Sequence, residues 1–283
     1  MIGAILGDII GSPYEFDENN IKTKDFPLFI GKSKFTDDSV LTVAVAEALM
    51  DAREKGLSAS QGGGQNAEDD EIRNLVTKSL KKWGNNYPFA GYGARFIEWL
   101  DHGEGPYNSL GNGSAMRVSS VGWLYDDLDT TLRMAEISAD VTHDHPEGIK
   151  GAQAVASAIY LARTGSAKDE IRKYITDEFG YDLSRTCDEI RPGYHHVETC
   201  MATVPEAVTA FLEGEDFVDV IRTAVSLGGD CDTLTCIAGS MGEAFYGVPE
   251  DLKKECLDRV SPEMGDVIKR FLNMTAEAHK NVV

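Results

Sequence analysis

The chain has 283 residues, 42% of them hydrophobic and 26% charged, an ordinary globular balance that excludes wholesale disorder. Asp plus Glu is 47 against 27 Lys plus Arg, a net charge of -20. A surface that acidic repels a phosphate backbone and excludes bulk nucleic-acid binding.

The first segment, Met1-Ile2-Gly3-Ala4-Ile5-Leu6-Gly7-Asp8, has no basic residues, and Asp8 breaks its apolar run, so no secretory signal is expected. A helix is predicted there, ending near Ser12 because Pro13 follows. Gly3, Gly7 and Gly11 recur at helical spacing. Glycine costs about 1 kcal/mol per helix position relative to alanine, so such a row signals close packing. Asp8, an acid in an apolar stretch, needs a hydrogen bond, an ion pair or a metal. The next helix is predicted over 38–54, where Ala, Leu and Glu dominate. It contains the longest apolar stretch, Val40 to Met50, which includes Glu47 and falls short of the about 20 apolar residues a membrane span needs. The polar, Gly-rich run 58–70 reads as a mobile surface loop. It is not a phosphate loop, because no Lys-Ser/Thr follows its glycines.

Helical periodicity returns at 70–83, 129–139, 148–164, 168–178, 203–213, 216–226, 233–246 and 262–278. Ala238, Gly239 and Gly242 give the 233–246 helix a second small face, and Gly247 with Pro249 stops it. Strand alternation is scarce, no strand–helix rhythm supports a Rossmann-like sheet, and no repeat is visible. The expectation is one all-α domain over 1–283. Five cysteines without a CxxC predict free thiols and a reducing, cytoplasmic setting. A monomer without membrane contact is expected.

Two short motifs carry the chemistry. Phe35-Thr36-Asp37-Asp38-Ser39 precedes the 38–54 helix, and Gly228-Gly229-Asp230-Cys231-Asp232-Thr233 precedes the 233–246 helix. Either alone reads as a helix cap. Capping needs one oxygen, however, and each motif offers two carboxylates and a hydroxyl. Four carboxylates in one site repel unless a multivalent cation neutralises them. Oxygen ligands without His or Cys select Mg²⁺, Ca²⁺ or Mn²⁺, and the set suits two ions. Glu15 is the next acid of interest after Asp8. Gly111-Asn112-Gly113-Ser114-Ala115-Met116-Arg117 is a glycine-rich turn whose backbone N–H groups could cradle a phosphate. His143-Asp144-His145-Pro146 could join His195, His196 or Cys200 around zinc, but no third ligand has a familiar spacing; a polar contact or a helix N-cap is the better reading. Cys231, between carboxylates, is expected to have a raised pKa and to be unreactive.

Taken in order, Gly7-Asp8-Ile9-Ile10-Gly11-Ser12-Pro13-Tyr14-Glu15, Thr36-Asp37-Asp38-Ser39, Ala90-Gly91-Tyr92-Gly93, the 111–117 turn, Thr142-His143 and Gly229-Asp230-Cys231-Asp232-Thr233 resemble the ADP-ribosylglycohydrolase family. The resemblance runs from Gly3 to about Pro249 and implies an all-α, orthogonally packed helical domain. It implies two Mg²⁺, with Mn²⁺ as an alternative. Thr36, Asp37, Asp38 and Asp232 would hold one, and Asp230, Asp232 and Thr233 the other. Asn108, Ser109, Gly111, Asn112, Gly113 and Ser114 would surround the diphosphate and distal ribose of ADP-ribose, with His143 bordering the groove. Glu15 or Asp37 would be the catalytic base. The implied reaction is hydrolysis at C1″ of ADP-ribose on a protein side chain, arginine by default, or on a small acceptor. The alternatives are a metal-dependent hydrolase of a free nucleotide sugar or phosphate ester, and an inactive ADP-ribose binder. Leu110 stands where some relatives carry an aromatic, and the glycines at 61–64 match no family motif.

Overall fold

The computed structural model describes residues 1–57 and 67–280. Among them the chain runs through α1 (Ile2–Gly11), α2 (Asp37–Glu54), α3 (Ala67–Asn86), α4 (Ala94–His102), α5 (Gly113–Met116), α6 (Val121–Leu124), α7 (Leu128–Asp140) and α8 (Pro146–Arg163). It continues through α9 (Lys168–Phe179), α10 (Cys187–Ile190), α11 (Cys200–Glu213), α12 (Phe217–Leu227), α13 (Cys231–Tyr246), α14 (Glu250–Arg259) and α15 (Pro262–Lys280). The described residues form no strand; one isolated antiparallel bridge joins Gly111 to Thr199. The domain is all-α, as the periodicity predicts.

The centre of the fold is the antiparallel pair α1 and α13. Helix α1 is buried from end to end, and α13 from Cys231 to Gly242. Small residues make the approach feasible: a Cβ on Gly3 or Gly7 would collide with the carbonyls of Gly239 or Thr235, and one on Gly11 would lie 2.7 Å from the Asp232 Cα. The glycine row therefore serves packing, and it sets the end of α1 against the start of α13. Helices α8, α11 and α12 surround α13, while α2 lies beside α1 and is backed by α3 and α15. Where α1 ends at Gly11, Ser12–Tyr14 continue as a 3₁₀ turn led by Pro13. All five cysteines are free and buried. No described helix is long and apolar enough to cross a membrane.

The long helices fall within a few residues of their predicted ranges. The loop expected at 58–70 is corrected at one end: Ala67–Asp70 are the first turn of α3, and Asp69 is buried against Arg133 at 2.6 Å. Residues 58–66 lie outside the described residues. The periodicity missed α4 and α14, each burying only two side chains, Phe96 with Trp99 and Leu252 with Cys256. It also missed the single turns α5, α6 and α10, which are too short to show a period.

Candidate active site

The start of α2 is capped by another helix. Thr36 occupies the N-cap position, but its side chain does not cap. The Asp8 carboxylate, projecting from α1, accepts the backbone N–H groups of Thr36 at 2.8 Å and Ser39 at 3.0 Å, the Thr36 hydroxyl at 2.7 Å, and the Ser39 hydroxyl. Burial raises the Asp8 pKa against the pull of these four donors. Asp8 thus satisfies two of the backbone donors at the start of α2. The Asp37 N–H donates to the Ala90 carbonyl at 3.0 Å. Gly91, at φ +113°, crosses close by: a Cβ there would lie 3.3 Å from Asp37 Oδ1.

The start of α13 is shaped by two consecutive left-handed glycines, Gly228 at φ +74° and Gly229 at +73°. Asn20 clasps this turn. Its amide donates to the carbonyls of Tyr14 at 2.7 Å and Phe16 at 2.9 Å, with the Gly229 carbonyl 3.3 Å away, and its Oδ1 accepts the Gly229 N–H at 2.7 Å. One side chain therefore ties the backbone flanking Glu15 to the backbone leading into Asp230. Asp230, at the N-cap of α13, makes no side-chain cap either. Its Oδ2 accepts the Asn112 amide at 2.6 Å. The two motifs meet where the Thr233 hydroxyl donates to Asp38 Oδ2 at 3.2 Å. Neither N-cap side chain therefore caps its helix, although Asp232 Oδ1 accepts the first-turn N–H of Thr233 at 2.9 Å.

The carboxylates gather into two overlapping groups. Oxygens of Asp8, Asp38 and Asp232 lie within 4.8 Å of one another, as do those of Glu15, Asp230 and Asp232. Asp232 belongs to both. Burial first, and then like charge, raises the pKa of Asp37, Asp38 and Asp232 well above the usual carboxylate range. Asp230 is pushed up to about 7 by burial, and Glu15 to about 7 by burial and then by Asp232. Asp38 Oδ1 is buried without a hydrogen-bond partner. An all-oxygen, mutually repelling, incompletely satisfied set fits a hard divalent cation and does not suit zinc. Neither group contains a histidine. His145 instead caps α8, accepting the Glu147 N–H at Nδ1. Cys231 is buried, and burial followed by Asp232 raises its thiol pKa, as expected.

The acids line one part of a cavity of about 380 Å³. Arg95, Tyr107, Ser109, Arg117, His143, Glu198 and the Gly111–Gly113 turn line the rest, and Asn112 of that turn reaches Asp230. Of the residues expected around a ligand, Ser109, Gly111, Asn112, Gly113 and His143 line the cavity. Asn108 and Ser114 do not. Asn108 holds its turn through an N–H donated to Asp144 at 2.6 Å, and the Ser114 hydroxyl is spent on the Gly148 carbonyl at 2.7 Å. Thr36 lies beneath the acids, bonded to Asp8. The sequence reading missed Asn20, Arg95, Tyr107 and Glu198. Arg95 stacks over the Tyr107 ring at 4.9 Å, and the Glu198 carbonyl accepts the Asn112 N–H at 2.9 Å. No local pattern marks these residues, because each acts across the chain.

Comparison with known proteins agrees with this geometry. The chain is 26% identical to human ADP-ribosylhydrolase ARH3 over 90% of its own length and 87% of that protein's. It is 22% identical to ADP-ribosylarginine hydrolase Tri1 of Pseudomonas putida, covering 88% of this chain and 70% of that one. A solved structure titled "ADP-ribosylglycohydrolase-related protein complex" shares the fold at a TM-score of 0.63, with 21% identity over 97% of both chains. The family model for ADP-ribosylglycohydrolases matches residues 1–281. The chain belongs to the ADP-ribosylglycohydrolase family, a class of glycosidases that act on ADP-ribosyl linkages.

Proposed function

We propose that this enzyme hydrolyses the C1″ bond between ADP-ribose and a protein side chain, with modified arginine as the first substrate to test, and that it uses two divalent cations, Mg²⁺ or Mn²⁺. The observation that carries the reading is the buried carboxylate cluster, with Asp38 Oδ1 unpartnered, in one cavity with Arg95, Arg117, His143 and the glycine turn. Similarity to a protein named ADP-ribosylarginine hydrolase supports the choice of arginine.

Thr36, Asp37, Asp38, Asp230, Asp232 and Thr233 would hold the ions. When bound, such ions supply Lewis acidity and fixed positive charge beside the sugar. The chain's own residues do the rest. Departure of the acceptor from C1″ builds oxocarbenium character, which nearby carboxylates stabilise. Of the two candidate bases, Glu15 is favoured over Asp37. It is half-buried on the cavity wall, and a pKa of about 7 matches a general base working near neutrality. Ser109, Gly111, Asn112, Gly113 and His143, framed by Asn108 and Ser114, would receive the diphosphate and distal ribose.

The test is a product assay on arginine-, serine- and poly-ADP-ribosylated substrates, with Mg²⁺ and with EDTA, read by mass spectrometry. Metal-dependent release of ADP-ribose is the expected result. Release of AMP or inorganic phosphate would replace the reading with phosphoester chemistry, and binding without release would make the protein an ADP-ribose binder. Glu15→Gln is expected to abolish turnover, whereas a Glu15→Gln variant that stays active would remove Glu15 as the base and leave Asp37.

A further inference from the structure

Arg117, directly after α5, is fully buried in the cavity wall, and no carboxylate pairs with it among the described residues. Its Nη2 donates to the Ser138 carbonyl at 3.1 Å and to Thr142 Oγ1 at 2.7 Å. That same hydroxyl oxygen lies 2.7 Å from His143 Nδ1. Thr142 is itself fully buried.

The proton count decides the direction of this chain. A guanidinium can only donate, so Thr142 Oγ1 is an acceptor toward Arg117. The hydroxyl keeps one proton, and His143 Nδ1 is its one acceptor among the described residues. Leaving that proton unbonded inside the protein would forfeit its hydrogen bond to water with nothing in return. Nδ1 is then the bare nitrogen of the ring, and the neutral imidazole carries its hydrogen on Nε2. Nε2 faces the glycine turn: a Cβ on Gly113 would lie 3.1 Å from it, and one on Gly111 3.6 Å. The Thr142 carbonyl accepts the N–H groups of Tyr107 at 3.3 Å and Ser109 at 3.5 Å, so one residue holds both the ring and the loop beside it.

We propose that Arg117 and Thr142 are positioning residues whose hydrogen-bond chain locks His143 as the Nε2–H tautomer and aims that donor, beside Gly111 and Gly113, at a diphosphate oxygen of the ligand. The ligand named here rests on the ADP-ribosyl reading of the cavity. Burial, with Arg117 and Arg95 nearby, holds the His143 pKa well below its usual value, so the ring stays a neutral donor.

The test uses the full chain labelled with ¹⁵N at histidine, together with calorimetry of ADP-ribose binding in Mg²⁺. His143 is expected to show a protonated Nε2 and a bare Nδ1. Thr142→Val and Arg117→Met are each expected to mix the tautomers and to weaken ADP-ribose binding about tenfold, roughly 1.4 kcal/mol. In turnover the loss should appear in KM and not in kcat. Thr142→Ser, which keeps the hydroxyl, is expected to restore both signals. An Nδ1–H ring in wild-type protein that binds ADP-ribose overturns the relay alone, and so does an unchanged tautomer in folded Thr142→Val. A wild-type Nε2–H ring in a chain without affinity for ADP-ribose overturns the ADP-ribosyl reading and the ligand named here. The wild-type spectrum decides the tautomer even if the variants fail to fold.

Discussion

The two parts of the cavity wall have opposite electrostatics. In one part Asp38, Asp230 and Asp232 are buried together, and no protein cation forms a salt bridge with them among the described residues. In the other Arg95 and Arg117 flank a neutral histidine and a glycine turn. The first part needs positive charge brought from outside; the second offers donors to negative charge. A chain of net charge -20 can therefore accept an anionic ligand, because charge within a few ångströms outweighs a screened surface average. The ligand that suits both parts is bipolar: hydroxyls or a sugar toward the acids and metal, phosphate toward the donors.

The strongest way to break this contrast is to remove the carboxylate shared by both acidic groups. Asp232→Asn is expected to lower turnover about 1000-fold, the upper scale for one lost electrostatic contact to a transition state, and to abolish calorimetric Mg²⁺ binding. The same change relieves repulsion, so the metal-free variant should melt higher than metal-free wild type. A lower melting point would show that the acids do not repel one another as described.

Next comes the anchor beneath them. Asp8→Ala leaves two backbone N–H groups and two hydroxyls without their acceptor, and about 3 kcal/mol of stability should go with them. Denaturant midpoints check this; a loss below about 1 kcal/mol would return the cap of α2 to its own residues. Gly11→Ala forces a Cβ to within 2.7 Å of Asp232 Cα and is expected to cost about 2 kcal/mol while weakening Mg²⁺ binding. Gly31→Ala, where a Cβ would meet nothing within 4 Å, should leave both unchanged.

A subtler sharpening uses pH. Glu15 and Asp230 titrate at about 7 in the folded chain, against ordinary values of 4.5 and 3.8. The folded state therefore holds more protons than the unfolded state between those limits, and metal-free stability falls as pH rises through that window. Added Mg²⁺ should raise the melting temperature more at pH 8 than at pH 5, since protons compete with the ion for the same oxygens. Equal gains at both would place the ion elsewhere. The smallest effect is expected among the donors. Arg95→Ala loses a stack on Tyr107 worth about 1 kcal/mol and should raise KM for the substrate several-fold with kcat unchanged.

Much of this was legible in the chain. The small-residue row of α1, the apolar periods of the long helices and the paired acids before α2 and α13 are local patterns, and local patterns survive in a linear reading. What escaped did so for identifiable reasons. Helix α14 buries too few side chains to show a period, and α4, though Phe96, Ile97, Trp99 and Leu100 share one face, is only nine residues long. Asn108 and Ser114 look equivalent to Ser109 and Gly113 in sequence, yet the Asn108 backbone N–H is bonded to Asp144 and the Ser114 hydroxyl to Gly148, and neither residue lines the cavity. Asn20 carries no motif, because its work is to join two turns far apart in the chain.

By itself, the sequence determined the helical class, the close packing implied by Gly3, Gly7 and Gly11, and a set of oxygen ligands too acidic to be capping alone. Residue type and spacing suffice for those, since they depend on backbone period and side-chain chemistry. Only the tertiary structure decided that Asp8 caps α2, that Asp232 belongs to both acidic groups, and that the acids share a cavity with a buried arginine and a neutral histidine. Each of those depends on which carboxylate lies within hydrogen-bond reach of which donor. Those distances are fixed by how α1, α2, α5 and α13 pack on one another, contacts that no stretch of the chain contains.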